Sequence, residues 1–364
     1  MERRERFDLC INHKNTDRIP IDFTGTPQTT YEDFSIIEKI ALELNIKVFD
    51  ENEIKEKVLK YLNVDFRNVG FILKPESDLV KSGENWHTDF WGVTRKWTGM
   101  YWDISNYPLK DASIADLDNF SWPQANKIDK KIFTNLRERA KRLWNDTDFV
   151  IVGEHPTYGI LELGCWMCSF DDFLYRLVGE PEFAEKFFSK VYEYQKDVID
   201  LYYTAIGDYI QVTTSGDDFG TQNGPFMSPD TFSEMISPWY KKRIALTKQY
   251  TKAKYFHHTC GSIYRLLDNI IEMGVDILNP LQPNVFEMDY EIIKQKYGDK
   301  ITFWGGIDEQ GLLTNGTTEE VKKNVKEVVK LMGENGGYIM APSHNIQADV
   351  PIENIIAMYN SIRE

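Results

Sequence analysis

Apolar positions in the second half of the chain follow two alternating patterns. Short runs such as 149–153 are continuously apolar, which is typical of strands buried on both faces of a sheet. Between these runs, apolar residues recur at helical spacing, as they do over 229–248 and 317–332. Strand and helix alternate every roughly 25–45 residues, which predicts parallel strands joined by right-handed crossovers.

The predicted strands of this half cover residues 149–153, 209–212, 255–256, 276–278, 301–304 and 337–340. The predicted helices cover residues 168–206, 229–248, 262–273, 287–297, 317–332 and 351–363. Further strands are predicted at 18–25 and between 60 and 75, so that the total reaches about eight, the number that closes a (β/α)8 TIM barrel of the α/β class. An open doubly wound sheet is the alternative, but no Gly-x-Gly-x-x-Gly follows any predicted strand.

The first 147 residues predict two additions to this barrel. Residues 31–63 have the periodicity of an N-terminal helical segment, and residues 85–106 are aromatic, β-prone and interrupted by glycine, as in an accessory β-hairpin. The hairpin region holds four tryptophans: Trp86, Trp91, Trp97 and Trp102. Such a cluster could roof a pocket, form the surface of a homodimer, or belong to an ordinary accessory hairpin. No linker or internal repeat appears, so one domain over 1–364 is predicted, with the strand–helix repeats from 148 onward.

Composition narrows the class of protein. The 364 residues carry 57 acidic and 42 basic side chains, for a net charge of −15, which argues against a nucleic-acid partner or an anionic membrane surface. No apolar run approaches the roughly 18 residues of a membrane helix, and the charged amino terminus is not followed by a signal-type segment. The four cysteines are too few for a disulfide scaffold. These features predict a cytoplasmic protein.

The segment 255–261, which reads YFHHTCG, carries a candidate metal site. Side chains alternate along a strand, so His258 and Cys260 are expected on one face and His257 on the other. An imidazole and a thiol can bind zinc, and His344, after the last predicted strand, could supply a third ligand. Three protein ligands with an open fourth position are typical of catalytic zinc. The alternative is a buried histidine beside a small buried cysteine.

Acidic residues also follow the predicted strands. Asp217 and Asp218 could act as a general acid or base, or could cap turns by accepting backbone N–H groups. Glu154 and Glu162 lie near apolar runs, where either a site role or a salt bridge explains a carboxylate. Asp308, after two glycines, is either an acid on the floor of a pocket or a turn residue.

Several segments, taken in order, resemble the uroporphyrinogen decarboxylase superfamily. They include GDDFGTQNGP at 216–225, HTCG at 258–261, WGGID at 304–308 and APSHNIQ at 341–347, together with 3–22 and 276–280. The resemblance covers nearly the whole chain and implies the barrel fold. Its decarboxylases carry an arginine-containing segment after the first strand, where this chain has Thr24–Thr30 without arginine. Uroporphyrinogen decarboxylation is therefore the disfavoured branch, since an acidic rim also repels a substrate rich in carboxylates.

The resemblance is closer to the corrinoid-dependent methyltransferases, and within them to the O-demethylase branch. It implies transfer of a methyl group from a small donor, such as a methoxylated aromatic, to a corrinoid carried by a partner protein. Thiol-methylating relatives carry His-x-Cys and a later cysteine, where this chain has His344. The alternatives are therefore a thiol-methylating enzyme, a metal-free carboxy-lyase of the same superfamily, and a non-catalytic binding protein.

The methyltransferase hypothesis assigns roles to the candidate residues. Zinc held by His258, Cys260 and His344 would act as a Lewis acid on the leaving heteroatom. Acids would protonate or orient the leaving group or a ligand histidine. The candidate acids are Asp217, Asp218 and Glu154. The candidate substrate-binding residues are Tyr158, Phe219 and Trp304, expected to line a flat apolar pocket, and Asp308 and Asn279.

Overall fold

Seven parallel strands form one curled sheet in which the order of strands follows the order of the chain. We describe a computed structural model that covers residues 1–47, 50–99 and 101–362. The strands are Phe66–Val69, Val150–Gly153, Val212–Gly216, Lys254–His258, Ile277–Asn279, Thr302–Trp304 and Tyr338–Ile339. This arrangement confirms the α/β barrel class, with the carboxyl ends of the strands at one rim.

The segment around Ile21 joins the two edges of this sheet. Ile21 forms a parallel bridge with Met340, and the Asp22 N–H donates to the Met340 carbonyl at 2.9 Å. On its other side, the Ile21 carbonyl accepts the Asp65 N–H at 2.9 Å. The strand predicted over 18–25 is thus shortened to a single bridge, because the chain turns at Gly25, whose N–H donates to the Asp22 carboxylate at 2.8 Å.

Helices surround the sheet. The α-helices are Arg3–Ile11, Ser35–Glu43, Glu51–Tyr61, Asp116–Asn119, Lys130–Asp146, Ile160–Cys168, Phe170–Gly179, Pro181–Ile206, Pro229–Thr231, Ser237–Tyr250, Leu267–Glu272, Tyr290–Tyr297, Leu312–Asn315, Thr318–Gly333 and Ile352–Asn360. Shorter helical turns are Ala125–Lys127 and Tyr264–Leu266 (3-10) and Phe232–Ile236 (π). None of the helices within these described ranges is long and apolar enough to cross a bilayer.

Local sequence signals explain several of these boundaries. Thr317 and Glu320 form a reciprocal capping box before the helix Thr318–Gly333. That helix buries an apolar stripe at helical spacing, formed by Val321, Val325, Val328 and Met332. The strand predicted over 209–212 begins instead at Val212, because the Tyr209 N–H still donates to the Ile206 carbonyl in the turn that ends the preceding helix.

The lower part of the barrel interior is a closed apolar core. Inward side chains from the strands meet three residues of the first helix, and the cluster consists of Phe7, Cys10, Ile11, Phe66, Val150, Val152, Val212, Phe256, Ile277, Trp304, Ile339 and Ala341. The first helix therefore closes the barrel at the end opposite the strand carboxyl ends. Because this end is filled, an open site is available only at the other rim.

The predicted accessory hairpin is a four-stranded antiparallel sheet. Its strands are Lys81–Gly83, Trp86–Thr88, Thr94–Trp97 and Trp102–Asn106. Between its strands, Phe90 and Trp91 are buried, and the Phe90 ring stacks with Tyr158 at a centroid distance of 6.4 Å. The Arg95 guanidinium lies 5.2 Å above the Trp166 ring. The sheet therefore packs against side chains from the barrel rim.

Candidate metal site and substrate pocket at the barrel mouth

Three candidate ligands meet at the carboxyl end of the barrel. One ligand atom each of His258, Cys260 and His344 lies within 4.8 Å of the others. The Cys260 Sγ is 3.2 Å from the His258 Nε2, and the rings of His258 and His344 have centroids 5.5 Å apart. Ligands of a tetrahedral zinc lie about 3.5 Å from one another, given Zn–S and Zn–N distances of about 2.3 and 2.0 Å. The donor set and its spacing therefore fit a zinc-type cation.

Strand alternation separates His258 from His257 as predicted, and Cys260 lies two residues beyond the end of the strand. His258 ends the strand Lys254–His258 and faces the pocket, whereas the fully buried His257 packs outward. The ring of His257 stacks on Phe219 at 5.1 Å, and its Nδ1 is 2.8 Å from the Ser215 hydroxyl. Of the two adjacent histidines, only His258 is thus directed toward the candidate ligands.

Asn279, on the neighbouring strand, fixes the orientation of His258. Its amide Nδ2 donates to the Trp304 carbonyl at 3.0 Å, so its Oδ1 is the atom that faces the His258 Nδ1 at 2.6 Å. Because Oδ1 is an acceptor, the His258 Nδ1 must carry the hydrogen. The Nε2 atom is then unprotonated, and its lone pair is directed toward Cys260. Burial lowers the pKa of His258 to about 4, so the ring is neutral at pH 7, as a metal ligand must be.

The backbone around Cys260 is held from two sides. The Cys260 N–H donates to the Asp218 carboxylate at 2.7 Å, and the Gly261 N–H donates to the Gln282 side chain at 2.6 Å. Gly261 has a φ of +86°, and a Cβ there would lie 2.5 Å from the backbone of Gly220, so only glycine fits. Burial raises the pKa of the Cys260 thiol, with the Asp218 charge as the next cause. A bound cation is what would favour the thiolate here.

The third ligand comes from a loop that is tied to the previous strand end. The Ser343 N–H donates to the Ile307 carbonyl at 2.8 Å, and the Ser343 hydroxyl donates to the buried Glu309 carboxylate. On the other side of His344, the Asn345 Oδ1 accepts the Thr30 N–H at 2.9 Å. These contacts fix the residues on both sides of His344, so its ring is presented from an anchored loop.

Two of the candidate ligands, His258 and His344, border a pocket of about 360 Å³. Its walls include Gln28, Ile72, Glu154, His155, Tyr158, Glu162, Trp166, Asp218, His258, His344 and Asn345. Asp218 is beside the candidate ligands, with its Oδ1 3.9 Å from the His258 Nε2. Of the predicted site residues, the structure thus brings Glu154, Tyr158 and Asp218 to the same pocket as His258 and His344.

Two glutamates in this pocket have carboxyl groups shifted toward the protonated form. Burial raises the pKa of Glu154 to about 7, against a smaller opposing effect of the Ile72 backbone N–H. Burial also raises the pKa of Glu162 well above its ordinary value, and the charges of Asp217 and Asp218 raise it further. Both effects favour the protonated carboxyl, which is the form that can donate a hydrogen bond or a proton into the pocket.

Asp217 does not face the pocket, which corrects its prediction as a catalytic acid. Its carboxylate is fully buried and accepts the N–H groups of Leu161 and Glu162 at 2.8 and 2.7 Å, at the start of the helix Ile160–Cys168. The Tyr240 hydroxyl donates a third hydrogen bond at 2.9 Å. These contacts use both oxygens, so Asp217 anchors the helix that carries Glu162.

Two predicted pocket aromatics lie in the core instead. Phe219 is fully buried between Phe232, Tyr240 and His257. Trp304 is also fully buried, deep in the barrel, where its indole N–H donates to the Asp22 carboxylate at 3.0 Å. Because neither ring reaches the mouth, the prediction that they line a flat apolar pocket is wrong, and of the three only Tyr158 lines it.

Asp308 and Asn279 have structural roles that replace their predicted contact with a substrate. The Asp308 carboxylate accepts the N–H groups of Gln310, Gly311 and Leu312 and the Asn284 amide, which makes it a turn residue. The side chain of Asn279 is likewise occupied, by His258 and the Trp304 carbonyl. Asn279 therefore acts on the candidate metal site through His258.

Gln28 and Trp166 line the pocket but were not predicted as site residues. The Gln28 Oε1 is buried without a hydrogen-bond partner among the described residues, so it is free to accept from a ligand. Its position in the segment after the first strand was a usable signal, because that segment follows a strand carboxyl end. Trp166 lies inside a helical apolar run, and its sequence context resembles that of a core residue.

Comparison with known proteins agrees with this architecture. The family model for uroporphyrinogen decarboxylase (URO-D) matches residues 157–364. A uroporphyrinogen decarboxylase from Helicobacter hepaticus is 27% identical over 133 residues, which are 34% of this chain and 35% of that protein. The chain thus matches about a third of the length of this curated relative.

A solved methyltransferase from Methanosarcina mazei superposes with a TM-score of 0.67, at 15% identity, over 100% of this chain and 98% of that one. At this level of identity the likeness concerns the fold. The family model covers more than half of the chain, including His258, Cys260 and His344. The protein therefore belongs to the uroporphyrinogen decarboxylase family.

Proposed function

We propose that this protein is a methyltransferase that moves a methyl group from a small donor, such as a methoxylated aromatic, to a corrinoid carried by a partner protein. The observation that carries the proposal is the convergence of His258, Cys260 and His344 at the barrel mouth, with ligand atoms within 4.8 Å of one another. A thiol and two imidazoles directed to one point suit methyl transfer assisted by a metal.

The proposed cation is zinc, held by these three side chains. Bound there, it would supply a Lewis acid to the heteroatom that carries the methyl group. Asn279 keeps the His258 Nε2 directed toward the site through its 2.6 Å hydrogen bond to Nδ1. Asp218 holds the Cys260 backbone and lies 3.9 Å from the His258 Nε2, where its negative charge favours retention of a cation.

A proton source also lies beside these ligands. When the methyl group leaves as a cation equivalent, the donor oxygen keeps the bonding electrons and needs a positive charge or a proton. Glu162 borders the same pocket, and burial raises its pKa, which favours the protonated form of its carboxyl. Asp217 holds the start of its helix in place. We assign to the Glu162 carboxyl the protonation or hydrogen bonding of the leaving oxygen.

The second candidate is a metal-free carboxy-lyase, which membership of the family favours. Two observations weigh against it. The segment Thr24–Thr30 contains no arginine, and among the described residues none that lines the pocket is a lysine or an arginine. A substrate that bears several carboxylates would thus meet Glu154 and Asp218 with no cation to bind it.

The experiment is incubation of the purified, zinc-loaded protein with a reduced corrinoid protein and methoxylated aromatics, with the cobalt absorption spectrum recorded over time. The proposal predicts conversion of Co(I) to methyl-Co(III), and loss of that conversion in Cys260→Ala. Cys168→Ala is the matched control, because it removes a buried cysteine thiol that is not one of the three candidate ligands. Equal rates in both variants, or decarboxylation of a porphyrinogen without metal, would contradict the proposal.

A further inference from the structure

The strand order places Glu154 on a different part of the barrel rim from the candidate metal ligands. Glu154 follows the strand Val150–Gly153, which is separated from Lys254–His258 by the strand Val212–Gly216. In the other direction, Phe66–Val69 and the segment at Ile21 separate it from the last strand, after which His344 follows. A small donor whose methyl group is at the ligands would therefore direct its far end toward Glu154.

Two aromatic rings line the pocket together with Glu154. Tyr158 and Trp166 line the same pocket and meet edge to face, with centroids 5.3 Å apart and an interplanar angle of 78°. Phe90 stacks behind Tyr158 and makes the wall rigid. We call Glu154, Tyr158 and Trp166 the far recess. A carboxyl beside electron-rich ring faces is an environment that binds cations and hydrogen-bond donors.

The positive groups near the far recess are already engaged. The Arg95 guanidinium lies over the Trp166 ring and is bound to Asp89 at 2.7 Å. The buried Arg243 donates to the Tyr158 carbonyl at 2.9 Å and contacts His155. Neither Arg95 nor Arg243 lines the pocket. Among the described residues that line the pocket none is a lysine or an arginine, so an anionic group in the recess would have the Glu154 carboxyl as its neighbour.

The geometry points to a methyl donor whose far substituent is cationic or a neutral hydrogen-bond donor, with Glu154 as the residue that selects it against a carboxylate. This inference rests on the proposed function, because it takes the methyl end of the donor to be at His258, Cys260 and His344. Burial raises the pKa of Glu154 to about 7, against a smaller opposing effect of the Ile72 N–H.

Three planar isosteres test the inference directly: 4-methoxybenzamidine, 4-methoxybenzamide and 4-methoxybenzoate carry charges of +1, 0 and −1 on the same frame. Their binding to the full-length, zinc-loaded protein is measured by titration calorimetry at pH 8, above the pKa of Glu154. We expect the amidine to bind tightest and the benzoate weakest, with about a tenfold or larger difference in Kd between them, since the carboxylate attracts one and repels the other.

Glu154→Gln keeps the shape of the recess and removes its charge, so it should reduce the difference between the amidine and the benzoate to about threefold or less. Glu138→Gln is the control, because it makes the same charge change at an exposed residue that does not line the pocket; it should preserve the wild-type order. A benzoate that binds as tightly as the amidine, or an order unchanged by Glu154→Gln, would overturn the inference. If the order holds but no donor methylates the corrinoid, the proposed function fails and the charge selection stands.

Discussion

The substitution Asn279→Ala probes whether the hydrogen bond to His258 supports metal binding. It removes the acceptor 2.6 Å from the His258 Nδ1 and frees the ring to rotate and to change tautomer. Loss of such a partner of a ligand histidine typically weakens metal affinity about 10–100-fold, which corresponds to about 1.4–2.7 kcal/mol. The substitution also leaves the buried Trp304 carbonyl without its donor. We therefore expect an additional loss of stability of about 1–3 kcal/mol.

Zinc affinity is measured by competition with a chromophoric chelator, and stability by urea unfolding of the metal-free protein. Asn354→Ala is the matched control, because Asn354 is equally buried and its amide donates to the Leu313 and Gly316 carbonyls, away from the pocket. Both variants should lose similar stability, but only Asn279→Ala should lose zinc affinity. Wild-type zinc affinity in Asn279→Ala would refute the argument that Asn279 orients His258 for a metal.

Four substitutions test the assignments made from burial and hydrogen bonding. Burial raises the pKa of Glu154 from 4.5 to about 7, so the unfolded chain ionises first and the folded state loses stability as pH rises from 4.5 to 7. Glu154→Gln should then raise the free energy of unfolding at pH 8 by about 2 kcal/mol, after allowance for solvent screening, and leave it unchanged at pH 4. An equal gain in stability at both pH values would contradict this expectation. Asp217→Asn should lower the free energy of unfolding in urea by about 2–4 kcal/mol, because an amide cannot accept both helix N–H groups. Asp218 is partly exposed, so Asp218→Asn should lower stability less and weaken zinc binding more. The reverse pattern would indicate that Asp217 is a pocket acid. Trp304→Phe should lower the free energy of unfolding by about 1–2 kcal/mol through loss of the hydrogen bond to Asp22, and it should leave the affinity for the methyl donor unchanged. A change in that affinity without a change in stability would contradict the position of Trp304 in the core.

The barrel and the direction of His258 follow from simple periodicities. Continuous apolar runs separated by helical segments predict parallel strands, and a period of two separates His258 from His257. Cys260 lies two residues beyond the end of that strand. The meeting of His344 with them follows from barrel closure, since strand carboxyl ends share one rim. These rules depend on the course of the backbone through strands and helices, and short segments of sequence are enough to predict it.

The use of each polar side chain at that rim was harder to predict. Asp217 and Asp218 are neighbours, yet one accepts helix N–H groups and the other faces the pocket, a difference set by where the helix Ile160–Cys168 packs. The Trp304 side chain points into the barrel, as the alternation of side chains along a strand allows. Its depth in the barrel depends on how neighbouring strands are shifted relative to one another. Trp166 looks like a core residue in sequence and lines the pocket because its helix crosses the mouth. Such outcomes depend on contacts between distant segments.

The central claim is that His258, Cys260 and His344 bind one metal ion together. The most direct test is zinc stoichiometry combined with X-ray absorption at the zinc edge, for the wild-type protein and for His344→Ala. We expect about one zinc per chain, with one sulfur and two imidazole nitrogens among its ligands. The variant should lose one nitrogen ligand and bind zinc more weakly. A protein that binds no zinc, or binds it without sulfur, would show that these three side chains do not hold a metal together.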